Sequence, residues 1–271
     1  MANETRIEHA SETWLADSTV FEVNRIPAHS DHKCYAHDPQ TNEWSDLRQS
    51  LDGEWRVEVV QASDIEFNEE PFVRENFDDS AFERIQVPGH LQMAGLMNNK
   101  YVNIQYPWDG HENPTEPNIP ENNHVALYRK TFTMANRLAD TKNAGGTVSI
   151  VFHGMATAIY VWVNGMFVGY GEDGFTPNEF DITEMLHDGE NVVAVACYEY
   201  SSASWLEDQD RPRHSRRTSS ARTVPLGRAG RAAACAYREH ADRIRLGSGV
   251  RQRLFGRGAH RAQRSRRGHE S

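Results

Sequence analysis

One turn in the sequence fixes the local path of the chain more firmly than any other feature. Two largely apolar runs, residues 158–163 and 166–170, flank Asn164-Gly165. Asn-Gly supplies the two positive φ angles of a type I′ turn, whose twist matches that of an antiparallel hairpin. We therefore predict a two-stranded hairpin here, and any fold proposed for the chain must contain it.

The same alternation of short runs and turn residues continues through the body of the chain. Runs rich in β-branched and aromatic residues are separated by Gly, Asn, Asp and Pro, as in all-β domains. Further strands are predicted at residues 53–60, 125–133, 147–152 and 191–198. One short helical turn is expected within residues 178–186, capped near Asp181. Many short strands at this spacing predict an all-β, jelly-roll-like β-sandwich.

The distribution of charge divides the chain at residue 210. Residues 211–271 contain 17 Arg, no Lys and three acidic residues, whereas the first 210 residues contain 12 basic and 36 acidic residues. The tail has only eight large apolar residues, too few to offset the conformational entropy lost on folding. We therefore predict that a β-sandwich (45–210) is followed by a disordered Arg-rich tail (211–271). We also predict an extended N-terminal arm (1–44) before the sandwich.

The tail has two interpretations. Arg runs neutralise phosphates, so the tail could be a nucleic-acid-binding arm. A wrong reading frame of a GC-rich gene also yields Arg, Ala, Gly, Ser, Pro and His, and the abrupt change from a Lys-containing body to a Lys-free tail favours this second interpretation. We therefore expect an out-of-frame tail and no nucleic-acid partner. Retranslating the DNA around codon 210 in the other frames distinguishes the two.

Composition also bears on the cellular compartment. No run of about 18 apolar residues occurs, which excludes a membrane-spanning helix, and the first thirty residues lack the apolar stretch of a signal peptide. Cys34, Cys197 and Cys235 lie far apart and form no CxxC pair. This spacing argues for a reducing compartment and against a zinc site. We expect a cytoplasmic protein with no membrane partner.

Three local patterns have a functional and a structural interpretation. Residues 169–174 match GxGxxG, but loop residues follow, so the helix N-terminus of a dinucleotide site is missing. His29 and His32 lack a third metal ligand, and a solvated or interface role is favoured. Three acidic residues (Glu207, Asp208 and Asp210) lie shortly after Trp205. Carboxylates accept hydrogen bonds from hydroxyls, and aromatic rings cover apolar sugar faces. An acidic cluster is more often a solvated surface, so the sugar interpretation stays open at this point.

Several blocks along the chain form an ordered set. They are FEVNRIPAHSDH at 21–32, LDGEW at 51–55, VPGHLQ at 87–92, YVNIQYP at 101–107, FHG at 152–154, VNG at 163–165, VGYG at 168–171, PNEFD at 177–181 and WLEDQD at 205–210. Together they resemble the N-terminal part of large β-galactosidases of glycoside hydrolase family 2. The resemblance covers about residues 15–210.

The resemblance implies a jelly-roll sugar-binding first domain, followed in the family by an immunoglobulin-like domain and a TIM barrel. The barrel carries both catalytic glutamates, so no catalytic residue is placed in this chain. The implied reaction is retaining hydrolysis of terminal β-D-galactosides of the lactose type, in which one carboxylate attacks the anomeric carbon and the other acts as acid and then base. Mg and Na are implied for the full-length enzyme, as is a homo-oligomer. This chain alone is expected to hold no cofactor and to be inactive.

Two substrate-binding residues follow from the resemblance. Asn103 matches a family asparagine that contacts the galactosyl group. Asp210 matches a family aspartate that binds sugar and helps to hold a monovalent cation. The family continues after this aspartate with an aromatic residue, Trp and Arg, whereas Arg211-Pro212-Arg213 follows here. We therefore expect a truncated or frameshifted chain whose sandwich lacks its closing strand.

A second function class remains open beside this one. The chain could be a stand-alone carbohydrate-binding module without catalysis, since a jelly roll carrying Trp108, Trp162 and Trp205 offers aromatic surfaces for sugar. Against this alternative, Asn103 and Asp210 matter in the family only as parts of a site that the barrel completes.

Overall fold

The computed structural model of this protein describes residues 6–29, 47–66, 71–98, 106, 108–155, 157–172, 174, 176–207 and 244–249. The strands are β1 (Glu22–Val23), β2 (Arg48–Ser50), β3 (Gly53–Gln61), β4 (Glu83–Val87), β5 (His124–Thr133), β6 (Thr147–Phe152), β7 (Ala158–Val163), β8 (Met166–Gly171), β9 (Asn178–Asp181), β10 (Glu190–Tyr198) and β11 (Ile244–Gly249). The helices are α1 (Asn136–Asn143) and α2 (Ser204–Glu207), with 3-10 turns at Glu12–Ala16, Ala62–Asp64, Pro71–Val73 and Thr183–Met185.

The strands form two antiparallel sheets that pack face to face. The larger sheet has the order β1-β8-β7-β10-β5-β3-β4, and the smaller has the order β2-β11-β6-β9. The core between them takes alternate side chains from the facing strands, among them Trp55, Tyr128, Ile150, Val161, Phe180 and Val195. Period-two alternation places every second residue on one face. The predicted β-sandwich is confirmed.

The outer face of the seven-stranded sheet is covered as well. A second apolar cluster contains Tyr160, Trp162 and Tyr198 from the central strands, and Leu15 and Val23 from the N-terminal segment pack into it. β7 is therefore buried at all six positions. A strand covered on both faces reads as a continuous apolar run, which explains why strict alternation is absent from residues 158–163.

The predicted hairpin has the predicted turn. Asn164 has φ 51° and Gly165 has φ 78°, and β7 pairs with β8 on either side. The short helical turn is present as the 3-10 turn Thr183–Met185. The carboxylate of Asp181 accepts hydrogen bonds from the Thr183 amide and hydroxyl, at 2.9 and 2.6 Å. No helix in the described ranges combines the length and hydrophobicity needed to cross a membrane.

The smaller sheet contains one unexpected strand. β11 lies between β2 and β6 and pairs antiparallel with both. β11 belongs to the tail (211–271) for which we predict disorder, and it is the part of that tail that the structure describes. Strand addition uses backbone groups, so the open edges of β2 and β6 can pair with a segment of almost any composition. The remainder of the tail lies outside the described residues.

Replacing Gly165 by alanine should lower the free energy of unfolding by about 1–2 kcal/mol, because an L side chain is strained in the left-handed region. The space beside Gly165 is open, since a Cβ at this position would come no nearer than 3.8 Å to the Val73 carbonyl oxygen, so the loss measures backbone strain alone. Gly165→Asn is the matched control, since Asn tolerates this conformation. Urea unfolding followed by tryptophan fluorescence gives both values. Equal losses for the two variants would contradict the assignment to backbone strain.

Candidate functional site

The two predicted sugar-binding residues, Asn103 and Asp210, lie outside the described residues. Their sequence neighbours do not: Tyr106 lies in the first block, three positions after Asn103, and Trp205 of α2 lies in the second block, five positions before Asp210. These neighbours are 99 positions apart in sequence and lie in contact. The Tyr106 hydroxyl donates to the Trp205 carbonyl oxygen at 3.3 Å, and the two ring centroids are 4.7 Å apart.

Four aromatic rings form the centre of this region. Tyr106 stacks on Trp108 with centroids 4.9 Å apart and planes 3° apart. Trp108 contacts the edges of Trp205 at 5.1 Å and Tyr200 at 5.2 Å. We call these four residues the aromatic cluster. Parallel and edge-to-face contacts at such distances add to the stability gained by burial.

Access to the cluster is uneven. Trp108 and Tyr200 are only 4% and 5% exposed, whereas Tyr106 and Trp205 are half-buried. Trp162, the third aromatic candidate, lies instead on the outer face of the large sheet, 4% exposed and edge-on to Phe72 at 5.7 Å. Of the three tryptophans that we considered for sugar contact, only Trp205 retains an accessible ring. The expectation that Trp108 and Trp162 offer sugar-binding surfaces is wrong, because folding buries both.

The loop of residues 108–123 contacts Trp205. The indole N–H of Trp205 donates to the Asn118 carbonyl oxygen at 2.9 Å. The carboxylate of Glu112 accepts the amides of Glu121 and Asn122 at 2.6 and 2.9 Å and closes the loop. Such contacts satisfy the backbone of a loop that has no regular structure of its own.

The segment that follows β10 is tied to the residues at the start of β5. Asn123 and Tyr200 form a reciprocal pair: the Asn123 amide donates to the Tyr200 carbonyl oxygen, and the Tyr200 amide donates to Asn123 Oδ1, both at 2.9 Å. His124 Nδ1 lies 2.9 Å from Glu199 Oε2, and this glutamate is 3% exposed. Burial, and then the Glu199 carboxylate, raise the pKa of Tyr200, so its phenol is neutral.

Glu172 is a buried carboxyl beside the same segment. It follows β8 and is 2% exposed. One oxygen accepts from the Tyr170 hydroxyl, and the other accepts from the Ser202 hydroxyl at 2.9 Å. Burial raises the pKa of Glu172 to about 7, although hydrogen bonds from Tyr170, Ser202 and the Ala203 amide act in the opposite direction. No salt bridge to Glu172 occurs in the described part of the chain.

The Gly-rich pattern 169–174 serves packing. A Cβ on Gly169 would lie 2.5 Å from the Phe180 ring, and one on Gly171 would lie 2.2 Å from Asn178 Oδ1. β9 follows β8 as the next regular element, and no helix is described between them. The glycines therefore let β8 approach the facing chain closely, which is a structural reason for their presence.

Metal binding has no support in the described part of the chain. His29 pairs with Glu179, at 2.9 Å from Nε2 to Oε2, and His32 lies outside the described residues. Among the described residues no group of three or more His, Cys, Asp or Glu side chains could hold a metal ion. The predicted monovalent-cation ligand, Asp210, also lies outside the described residues.

Sequence reasoning missed Tyr106, Asn123, Tyr200 and Glu172 as parts of this region. Only Tyr106 lay inside a block that we had singled out for sugar contact. Glu172 carried one signal, an acidic residue at the end of an otherwise apolar strand, which we interpreted only as part of the GxGxxG pattern. The contacts of Asn123 and Tyr200 span 77 positions, and no local pattern reveals such a pair.

The comparisons with known proteins identify the family of this chain. The family model described as "Glycosyl hydrolases family 2, sugar binding domain" matches residues 48–221, which is more than half of the chain. The chain belongs to glycosyl hydrolases family 2. Within this family, β-galactosidase BgaC of Bifidobacterium adolescentis is 58% identical over 211 residues, covering 74% of this chain and 20% of that protein.

Other relatives give similar coverage. A β-galactosidase of Lactobacillus delbrueckii subsp. bulgaricus is 47% identical over 211 residues, covering 78% of this chain and 20% of that protein. Among solved structures, a β-glycosidase from Bacteroides vulgatus has a TM-score of 0.44 and 17% identity, covering 74% of this chain and 20% of that one. The chain spans about a fifth of the length of the curated relatives that it matches.

Proposed function

We propose that this chain is the N-terminal, sugar-binding part of a retaining β-galactosidase that hydrolyses terminal β-D-galactose residues, with lactose-type substrates. The observation that carries the proposal is the 58% identity over 211 residues to a protein named β-galactosidase. The convergence of Tyr106 and Trp205 also supports it, because it brings together the sequence neighbours of Asn103 and Asp210.

In this proposal the chain binds and orients the sugar while the chemistry occurs elsewhere. Asn103 and Asp210 contact the galactosyl group, and Asp210 also contributes to a monovalent-cation site in the full-length enzyme. The two catalytic glutamates belong to a barrel outside the matched region. One attacks the anomeric carbon and forms a glycosyl-enzyme; the other protonates the leaving oxygen and then activates water. The partners of this chain are thus the immunoglobulin-like and barrel domains of the same enzyme, and that enzyme assembles as a homo-oligomer. Mg and Na bind to the whole enzyme. The enzyme is located in the cytoplasm.

A chimeric enzyme tests the proposal. The aligned first part of Bifidobacterium adolescentis BgaC is replaced by residues 6–210 of this chain, and hydrolysis of a chromogenic β-galactoside is measured. We expect an active chimera. Asn103→Ala and Asp210→Ala should each lower kcat/KM by about 10–100-fold, because each removes hydrogen bonds to substrate. Asn98→Ala and Asp188→Ala, at exposed positions, are matched controls that should leave kcat/KM unchanged.

The full 271-residue chain completes the test. We expect it to hydrolyse no chromogenic galactoside, and robust turnover at low protein concentration would contradict the assignment of chemistry to a missing barrel. Sub-millimolar galactose binding by this chain alone, abolished by Asp210→Ala, would instead favour the stand-alone module. An active chimera that is unaffected by both Asn103→Ala and Asp210→Ala would overturn the two site assignments.

A further inference from the structure

The segment Ser201–Glu207, which we call the α2 segment, cannot hold its own conformation. It comprises one turn and the four-residue helix α2, and a helix of this length is unstable in isolation. It nevertheless carries Trp205, the accessible tryptophan of the aromatic cluster, and ends three positions before Asp210 in sequence. Its position must be set by contacts with the rest of the fold.

Three elements supply those contacts at the start of the segment. The Ser202 amide donates to the Leu15 carbonyl oxygen at 2.7 Å, which ties the segment to the N-terminal arm. The Ser204 hydroxyl donates to Thr157 Oγ1 at 3.4 Å, beside β7. The Ser202 hydroxyl and the Ala203 amide both donate to the carboxyl of Glu172, at the end of β8.

Glu172 differs from the other two anchors because it receives two donors from the segment at once. It is 2% exposed, so water does not compete for its oxygens. Removing the donor to a buried acceptor leaves that acceptor unsatisfied, which is costly. The Glu172 amide also donates to the Phe21 carbonyl oxygen at 3.0 Å. One residue thus joins β8, the N-terminal arm and the α2 segment.

We propose that Glu172 is a positioning residue: its buried carboxyl fixes the α2 segment and so holds Trp205 in place beside the bound sugar. Glu172 touches no substrate and takes no part in bond breaking. Only the expected effect on sugar binding rests on the proposed function, since the positioning of the α2 segment can be measured without any ligand.

Hydrogen exchange of the full 271-residue chain, followed by mass spectrometry, measures the positioning. In the wild type the amides from Ser202 to Leu206 are all hydrogen-bonded and should be protected. Ser202→Ala and Glu172→Ala should each speed exchange of this peptide about tenfold or more, because each removes a hydrogen bond to a buried carboxyl. Glu172→Gln keeps an acceptor oxygen for Ser202 and should restore part of the protection.

Tyr170→Phe is the matched control. It removes the donor to the other carboxyl oxygen and leaves the contact with Ser202 intact, so the exchange of residues 202–206 should be unchanged. The double variant Glu172→Ala/Ser202→Ala should exchange no faster than the faster single variant, since both remove the same contact. Ser202→Ala also keeps the test decisive if Glu172→Ala does not fold.

Two results would overturn the inference. One is unchanged exchange of residues 202–206 in a folded Ser202→Ala chain; the other is an equal rise over all peptides, which indicates global loss of stability. The consequence for sugar is tested in the active chimera, where Ser202→Ala should raise KM with little change in kcat, and unchanged KM and kcat would count against the inference. An inactive wild-type chimera would count against the proposed function, and hydrogen exchange would still decide the role of Glu172.

Discussion

Replacing Asp79 by alanine is expected to lower the free energy of unfolding by about 3 kcal/mol, among the largest effects of any single substitution outside the core. Removing the carboxylate partner of a buried cation leaves an uncompensated buried charge, even where the carboxylate itself is partly exposed, as Asp79 is at 28%. Here the remaining charge would be Arg129, which is 2% exposed and whose Nε lies 3.1 Å from Asp79 Oδ2.

The surroundings of Arg129 show why the loss should fall at the lower end of the range for buried pairs. One terminal nitrogen also donates to the carbonyl oxygens of Phe72 and Arg74, and the guanidinium lies 5.3 Å from the centre of the Phe77 ring. These contacts remain in the variant. Arg129 thus ties the loop around Phe72 to β5, and Asp79 supplies the balancing charge.

Urea unfolding at neutral pH, followed by tryptophan fluorescence, measures the loss. Glu54→Ala is the matched control, since Glu54 pairs with Arg84 at 2.9 Å with both side chains about half exposed, and surface pairs contribute at most about 1 kcal/mol. Asp79→Asn, which keeps an acceptor oxygen, should fall between the two. If Asp79→Ala costs no more than Glu54→Ala, the carbonyl groups alone satisfy Arg129.

How much of this fold the sequence predicts depends on how far apart in sequence the interacting residues lie. The β7–β8 hairpin depends on two adjacent residues with a known backbone preference, so it was predicted with its turn type. Strands β3, β5, β6 and β10 are long enough for their composition to be diagnostic. β1 and β2 have two and three residues, too few for any period, and exist because a neighbouring strand offers hydrogen-bonding partners.

The N-terminal segment and the tail show the same limit. Leu15 and Val23 are isolated apolar residues in a polar stretch, and nothing local indicates that they cover the outer face of the large sheet. β11 forms in a stretch whose composition predicts disorder, because the edges of β2 and β6 decide its pairing. Long-range complementarity, which a single sequence does not display, determines both.

The candidate site, too, was predicted from the sequence only in part. Asn103 and Asp210 were obtained from ordered blocks that resemble a family, and their roles remain predictions. The contact between Tyr106 and Trp205 joins residues 99 positions apart and follows only from the fold. The burial of Glu172 could not be anticipated either, because it depends on the N-terminal arm and the α2 segment meeting at the end of β8.

The burial of Glu172 leads to a second large effect, on the pH dependence of stability. Burial raises the pKa of Glu172 from its ordinary value of 4.5 to about 7 in the folded chain. Between these values the folded state holds a proton that the unfolded state has released. Stability falls with rising pH wherever the folded state binds more protons. The contribution of Glu172 is therefore fully present below about pH 4.5 and is lost as the pH rises to about 7.

The loss over this window should be about 3 kcal/mol, because each unit of pKa shift corresponds to about 1.4 kcal/mol. Many other carboxylates of the acidic body titrate at low pH, so the wild type alone would not isolate one group. Glu172→Gln cannot titrate at this position. The difference in unfolding free energy between wild type and Glu172→Gln, measured in urea at several values between pH 4 and pH 8, should fall as the pH rises and then level off.

Tyr170→Phe provides the internal check on the cause. The Tyr170 hydroxyl stabilises the ionised carboxyl and so lowers the pKa of Glu172, against the larger effect of burial. Without that hydroxyl the fall in stability should extend to higher pH. A difference between wild type and Glu172→Gln that stays constant from pH 4 to pH 8 would contradict burial as the controlling influence on Glu172. A difference that grows with pH would mean that an unrecognised cation stabilises the carboxylate.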